Sequence, residues 1–139
     1  MTPNNNEEER KLNSTGDEDF PLAIKSGIRW DKEKWTGEFL TDELHEGERG
    51  RVHGGIITYL LDEAMARTVL PEYKNIATAN IQVRFRNPAP IHEPLIVTAW
   101  RIDKRRNLVE AGAKVCLQDD TLIADSTSTI FIISKEKKE

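Results

Sequence analysis

One segment of this 139-residue chain has the apolar periodicity of a long helix, and this feature constrains the fold most. Its apolar side chains recur at helical spacing, at Ile56, Ile57, Leu60, Leu61, Ala64, Met65 and Val69. Gly54 and Gly55 open the helix, and Pro71 marks its end because proline cannot continue a helix. A chain with a single long helix must bury its apolar face against a different kind of element.

The remaining segments have the alternating, β-branched character of strands. Strands are expected at Lys34–Leu40, Ile76–Arg86, Leu95–Ile102, Leu108–Leu117 and Leu122–Ile133. The segment Asn87-Pro88-Ala89-Pro90 interrupts the chain between the second and third of these. The pattern predicts an α+β fold, in which a continuous meander of four antiparallel strands follows the helix and the sheet wraps around it.

Both ends of the chain are polar, which predicts one domain between two tails. Residues 1–19 and 134–139 hold too few apolar groups to offset their ordering entropy, so the domain is expected at 20–133. The net charge of -4 does not point to nucleic acid or to a membrane. The single cysteine, the polar N-terminus and the lack of a long apolar run predict a cytoplasmic location.

A glycine-rich loop, Glu46–Gly55, leads into the predicted helix. Free backbone N–H groups at a helix N-terminus bind negative charge or a developing oxyanion. Asp62 lies on the less apolar side of the same helix, where a carboxylate can act as general base or nucleophile. Each element has an ordinary interpretation alone: Gly-Gly is often a tight turn, a lone His often caps a helix, and Asp-Glu is often a solvated face.

The combination is more specific. Val52-His53-Gly54-Gly55, followed by Asp62 and Thr78, resembles the hotdog-fold thioesterase superfamily of the PaaI type. The run Phe85-Arg86-Asn87-Pro88 resembles the family's strand that ends in proline, and the resemblance extends over Trp30–Ile133. It implies an antiparallel sheet wrapped around one long central helix, and an enzyme that hydrolyses acyl-CoA to a free acid and coenzyme A.

The resemblance also implies roles for individual residues. The backbone N–H of Gly54 would polarise the thioester carbonyl, Asp62 would activate water or attack directly, and Thr78 would hold the water or the carboxylate. Gly55 and Glu63 are placed with the substrate-binding residues. Glu63 is a competing carboxylate, since some hotdog enzymes use Glu, but the spacing favours Asp62.

This chain departs from many family members at one position. They carry Asn six residues before the His, where this chain has Gly47, so an Asn-assisted role is in doubt. A branch with the motif Glu-Gly-x-x-Gly-x-Val-His-Gly-Gly, which includes long-chain acyl-CoA thioesterases, matches Glu46–Gly55 better. In that branch His53 is expected to orient the carbonyl or the water.

Basic side chains are candidates for binding the phosphates of coenzyme A. They cluster on two predicted strands and one turn, at Arg84, Arg86, Arg101, Lys104, Arg105 and Arg106. Trp30, Trp35 and Phe39 could line an acyl channel or belong to the core. No metal-ligand cluster and no dinucleotide fingerprint occurs, so no cofactor is expected beyond the coenzyme A of the substrate.

Gly54 and Asp62 are eight residues apart, which separates them by ~12 Å along one helix. A reacting carbonyl needs both groups within roughly 3 Å of its atoms, so one chain can hardly supply both. Two antiparallel helices across a two-fold axis can do so. The spacing therefore predicts a homodimer as the minimal active unit, and the resemblance implies pairing into a homotetramer.

Two other functions stay open. A hotdog protein could bind acyl-CoA without turnover, as a sensor or carrier. A hotdog dehydratase of enoyl-CoA type is disfavoured, because its Asp and His are placed differently from Asp62 and His53. Asp62 together with Thr78 favours hydrolysis over binding alone.

Overall fold

The structure, a computed structural model, describes residues 24–70 and 72–137, and only the backbone of residues 135–137. The elements are β1 (Ser26–Asp31), β2 (Lys34–Leu40), a 3-10 helix (Glu43–His45), α1 (Gly54–Arg67), β3 (Tyr73–Phe85), β4 (Pro94–Arg105), β5 (Leu108–Cys116) and β6 (Leu122–Lys137). Within the described ranges, none of the helices combines the length and apolar character that a membrane crossing requires.

The six strands form one antiparallel sheet in the order β1-β2-β4-β5-β6-β3. Helix α1 lies against one face of this sheet and contacts β2, β3, β4, β5 and β6. The predicted α+β class, with a sheet around one long helix, is therefore confirmed.

The core lies between α1 and the face of the sheet that the helix covers. Leu60, Leu61 and Met65 of the helix are fully buried. Burying a side chain of this size stabilises the fold by about 1.5–3 kcal/mol. The strands beneath carry small residues, among them Ala99, Ala111, Ala113 and Ala124, all with 0% exposure. These small side chains let the helix approach the middle of the sheet closely.

The prediction of a continuous four-strand meander is wrong for β3. Strands β4, β5 and β6 follow one another as neighbours, but β3 pairs with β6 and not with β4. The connection from β3 to β4 contains Pro88 and Pro90, which cannot continue a hairpin. Strand β3 therefore forms one edge of the sheet, and no strand of the described residues covers its outer side.

Two further boundaries differ from expectation. Strand β1 was not predicted, because all its residues except the half-buried Ile28 are exposed and no apolar alternation marks it. Strand β6 continues past the predicted domain end at Ile133 into the predicted tail and stops at Lys137. The predicted N-terminal tail, residues 1–19, lies outside the described residues.

Candidate active site

The start of α1 has one backbone N–H group without an acceptor. His53 is the N-cap residue, and its carbonyl accepts from the N–H groups of Ile56 (3.0 Å) and Ile57 (3.2 Å). The N–H of Gly55 donates to His53 Nδ1 over 2.8 Å. Among the described residues nothing accepts the N–H of Gly54. The positive end of the helix dipole therefore presents a single free donor.

The three glycines around His53 differ in how much room the structure leaves for a β-carbon. A β-carbon at Gly47 would lie 2.9 Å from His53 Cα, and one at Gly55 would lie 3.0 Å from His53 Nδ1. A β-carbon at Gly54 would meet only the Phe85 ring, at an ordinary 3.6 Å. Glycine at 54 is thus not required by packing within the subunit, and it leaves the free amide open to close approach from outside.

Asp62 and Thr78 are joined by a hydrogen bond, in which Thr78 Oγ1 donates to Asp62 Oδ1 over 2.7 Å. Thr78 pairs across the sheet with the buried Ile130, so it lies on the face that α1 covers. The register of β3 shifts directly after Thr78, with Ala79 as the extra residue. Such a bulge can re-aim a neighbouring side chain.

Asp62 itself is half-buried. Its second oxygen, Oδ2, has no hydrogen-bond partner in the described part of the chain. The carboxylate is therefore oriented through one oxygen while the other remains available for a water molecule or a substrate.

The free Gly54 amide and Asp62 both lie on α1, eight residues apart. Their separation along the helix axis is ~12 Å, about two turns. One thioester carbonyl cannot contact both groups of the same subunit, because the reacting atoms of a thioester lie within a few Å of each other.

Two adjacent cavities meet at Gly54. The first, of about 440 Å³, is lined on its polar side by Glu48, Arg51 and His53. The second, of about 280 Å³, shares Val52, Gly54 and Pro88 with the first and is lined mainly by apolar groups, among them Ile57, Phe85 and Ala89. Sequence reasoning included Arg51 in the glycine-rich loop but did not identify Phe85 as a member of the site. The signal for Phe85 was the alternation along the strand, which turns its side chain towards the helix.

Glu63 does not belong to the same surface as Asp62. It is 3% exposed, and its Oε1 accepts from Arg67 Nε at 2.9 Å and lies 2.8 Å from Arg67 Nη2. The Arg67 guanidinium in turn lies 5.5 Å from the centre of the Trp35 ring. Burial lowers the pKa of Arg67, and the Glu63 carboxylate opposes that shift. Glu63 is thus the counter-ion of a buried cation, which corrects its assignment to the substrate.

The predicted basic residues do not form a cluster, because they lie at opposite ends of the sheet. Arg84 pairs in register with Asp125 at one end of the sheet, whereas Arg105 and Arg106 lie at the β4–β5 turn at the opposite end. Strand alternation turns Arg84 to the face away from α1, since its neighbour Phe85 faces Gly54.

Of the six predicted phosphate ligands only Arg86 lines a cavity at Gly54, and its Nε donates to Asp125 Oδ2 at 2.9 Å. Arg105 forms an exposed ion pair with Asp103 over 3.0 Å. The structure therefore does not bring these arginines together as one group, and their role in binding phosphate stays a prediction.

The aromatic residues that precede the glycine-rich loop differ in their exposure to solvent. Trp35 and Phe39 are buried, and Phe39 packs edge-on against His45 with ring centres 5.1 Å apart. Trp30 is 48% exposed and lines a separate cavity of about 490 Å³ beside Thr68. Trp35 and Phe39 are core residues and not the walls of an open channel.

The family model of the thioesterase superfamily matches residues 49–124 of this chain. That range contains the whole of α1, the free Gly54 amide and the Asp62–Thr78 pair. The chain therefore belongs to the thioesterase superfamily, and its fold is the predicted hotdog fold. No curated protein matches the sequence.

Solved structures share the fold at low sequence identity. Zebra fish thioesterase superfamily member 2 is 21% identical with a TM-score of 0.70, over 88% of this chain and 91% of its own. The E. coli PaaI protein from the phenylacetic acid degradation operon is 16% identical with a TM-score of 0.72, over 77% of this chain and 78% of its own. A Streptococcus mutans protein bound to acetyl CoA is 18% identical with a TM-score of 0.69, over 79% of this chain and 89% of its own.

Proposed function

We propose that this protein is an acyl-CoA thioesterase that hydrolyses its substrate to a free acid and coenzyme A. Membership of the thioesterase superfamily supports the reaction. The acetyl CoA bound to the Streptococcus mutans protein supports an acyl-CoA as the substrate. The observation that carries the proposal is the carboxylate of Asp62, which Thr78 holds through one oxygen and leaves available through the other.

The proposed chemistry uses one donor and one carboxylate. The Gly54 N–H binds the carbonyl oxygen and stabilises the negative charge that develops on it. In one route Asp62 Oδ2 takes a proton from water while the water oxygen attacks the carbonyl carbon, the C–S bond breaks, and the leaving thiolate takes up that proton. In the other route Asp62 Oδ2 attacks the carbonyl carbon itself, and the C–S bond breaks to leave an anhydride between the acyl group and Asp62. Water then hydrolyses this anhydride, which releases the free acid, restores the Asp62 carboxylate and supplies the proton that the thiolate takes up. Thr78 is a positioning residue in this scheme, because it acts on the carboxylate and not on the substrate.

We further propose that the two groups come from different subunits of a homodimer. Strand β3 supports this assembly, because it is 13 residues long, lies at the sheet edge and has few charges to prevent pairing. Antiparallel pairing of two β3 strands would place two α1 helices side by side and antiparallel. Phe85, which is 58% exposed on this edge and adjacent to Gly54, would then be covered.

A thiol-release assay over acyl-CoAs of increasing chain length tests the proposed activity. The wild-type protein should release coenzyme A from at least one of them, and Asp62→Asn should abolish most of the turnover. Glu110→Gln, which neutralises an exposed carboxylate on β5, is the matched control and should retain full activity. Saturable binding of acyl-CoA without release would instead identify a binding protein of the same fold.

A further inference from the structure

We propose that His53 is a positioning residue that reserves the Gly54 amide for the substrate carbonyl. The inference rests on the proposed thioesterase function, and it assigns His53 a role other than direct contact with the thioester. Four backbone N–H groups open α1, and three of them donate to His53, one to its ring and two to its carbonyl. Only the Gly54 N–H is left for a substrate.

The side chain of His53 acts as a hydrogen-bond acceptor at the helix start. Nδ1 accepts from the Gly55 N–H over 2.8 Å, and the tautomer that fits this bond carries its hydrogen on Nε2. The side chain therefore works at the helix start as Asn or Ser does at other N-caps. Without this acceptor, Gly55 would present a second free donor next to Gly54.

Two glycines leave room for the ring in its observed position. A β-carbon at Gly47 would lie 3.1 Å from His53 Cδ2, and one at Gly55 would lie 3.1 Å from His53 Cε1. The backbone of His53 is held by a hydrogen bond, since its N–H donates to the His45 carbonyl over 2.8 Å. A side chain at position 47 or 55 would therefore crowd the ring that accepts from the Gly55 amide.

The close approach of His53 also gives a physical reason for glycine at 47. Any side chain there would begin 2.9 Å from the backbone Cα of His53, closer than real contacts allow. An asparagine at this position would therefore require the backbone at His53 to shift.

The consequence for catalysis is a single defined position for the carbonyl oxygen. With Gly55 capped, only the Gly54 amide can bind the oxygen at the helix start. With both amides free, the carbonyl can bind at either, and binding at Gly55 moves it away from the geometry that hydrolysis requires. Loss of the cap should therefore lower kcat more than it raises KM.

Two variants at this position separate positioning from direct catalysis. His53→Ala removes the acceptor and should lower kcat about tenfold with KM changed less than about threefold, as for the loss of one N-cap. His53→Asn restores an N-cap acceptor and should return kcat to within about threefold of wild type. If His53→Asn is as slow as His53→Ala, the imidazole itself acts on the substrate and the proposal is overturned. A normal kcat in His53→Ala, with only a lower melting temperature, overturns it equally.

Amide hydrogen exchange followed by NMR tests the cap without any activity. The Gly55 amide should exchange more slowly than the Gly54 amide in the wild type, lose that protection in His53→Ala and regain it in His53→Asn. Equal exchange of the two amides in the wild type would overturn the proposal whether or not the protein is an enzyme. A protected Gly55 amide in a protein that hydrolyses no acyl-CoA would support the cap and contradict only the proposed function.

Discussion

Thr78 Oγ1 lies 2.7 Å from Asp62 Oδ1 and donates a hydrogen bond to it. This contact joins the edge strand β3 to the third turn of α1, between residues that are sixteen positions apart in the sequence. It holds the carboxylate through one oxygen and fixes the direction in which the other points.

Replacement of Thr78 by valine tests the importance of this bond. Thr78→Val keeps the branched shape and removes the donor, so Asp62 should lose its orientation. A hydrogen bond to a charged group contributes about 1.5–3 kcal/mol, which predicts a fall in kcat of roughly tenfold to a hundredfold. Steady-state kinetics of acyl-CoA hydrolysis measure this fall in kcat.

Thr78→Ser provides the matched control, because serine keeps the hydroxyl group and should retain most of the activity. Thr78 is exposed, so neither variant should change the free energy of unfolding by more than about 0.5 kcal/mol. Equal activity of the serine and valine variants would show that the hydroxyl does not position Asp62.

The free amide at the helix start can be removed without disturbing the helix. Gly54→Pro deletes only this N–H, at the first helical position, where proline is well tolerated. The preceding residue, His53, already has the extended backbone (φ -60, ψ 136) that proline requires before it. Loss of an oxyanion donor predicts a fall in kcat of about a hundredfold to a thousandfold with an unchanged melting temperature.

Gly54→Ala is the control for this variant, since it keeps the N–H and adds one carbon at an ordinary distance from Phe85. It should be less impaired than Gly54→Pro. If the proline variant hydrolyses acyl-CoA at the wild-type rate, another group must bind the carbonyl oxygen.

Glu63 and Arg67 form a buried ion pair, with side-chain exposures of 2% and 1%. Glu63→Gln would leave the Arg67 cation without its counter-ion and should lower the free energy of unfolding by about 3–5 kcal/mol. Urea denaturation at a fixed protein concentration measures this change.

A double variant distinguishes loss of charge balance from loss of packing at this pair. Glu63→Leu combined with Arg67→Met removes both charges and should recover most of the lost stability. Turnover per folded molecule should stay close to wild type, since neither residue belongs to the proposed site. A Glu63→Gln protein that is as stable as wild type but inactive would show that Glu63 takes part in the reaction.

The helix and its neighbours in the sheet were predictable because their signals are local. Apolar residues at helical spacing marked α1, and β2 was predicted with its observed bounds, Lys34–Leu40. The Asp62–Thr78 contact followed from the resemblance, which matched residues of a helix and a strand that meet in space. Strand β1 carries no such local signal, since it is bound to β2 by its backbone and remains exposed.

The long-range arrangement could not be derived in the same way. Alternation along β3 indicates a strand but does not indicate whether β4 or β6 is its partner. Asp62 and Glu63 are adjacent acids, and only the three-dimensional contact with Arg67 shows which one is buried. The spacing of Glu63 and Arg67, four residues apart on a helix, was nevertheless a signal for an ion pair.

Mixed dimers test the central claim, that one active site takes Gly54 from one subunit and Asp62 from the other. Gly54→Pro and Asp62→Asn chains, each nearly inactive alone, should be co-expressed and purified together through two different tags. Each mixed dimer then contains one site with both groups intact, so its activity should be about half that of the wild-type dimer. A mixed dimer as inactive as its two parents would contradict the shared site.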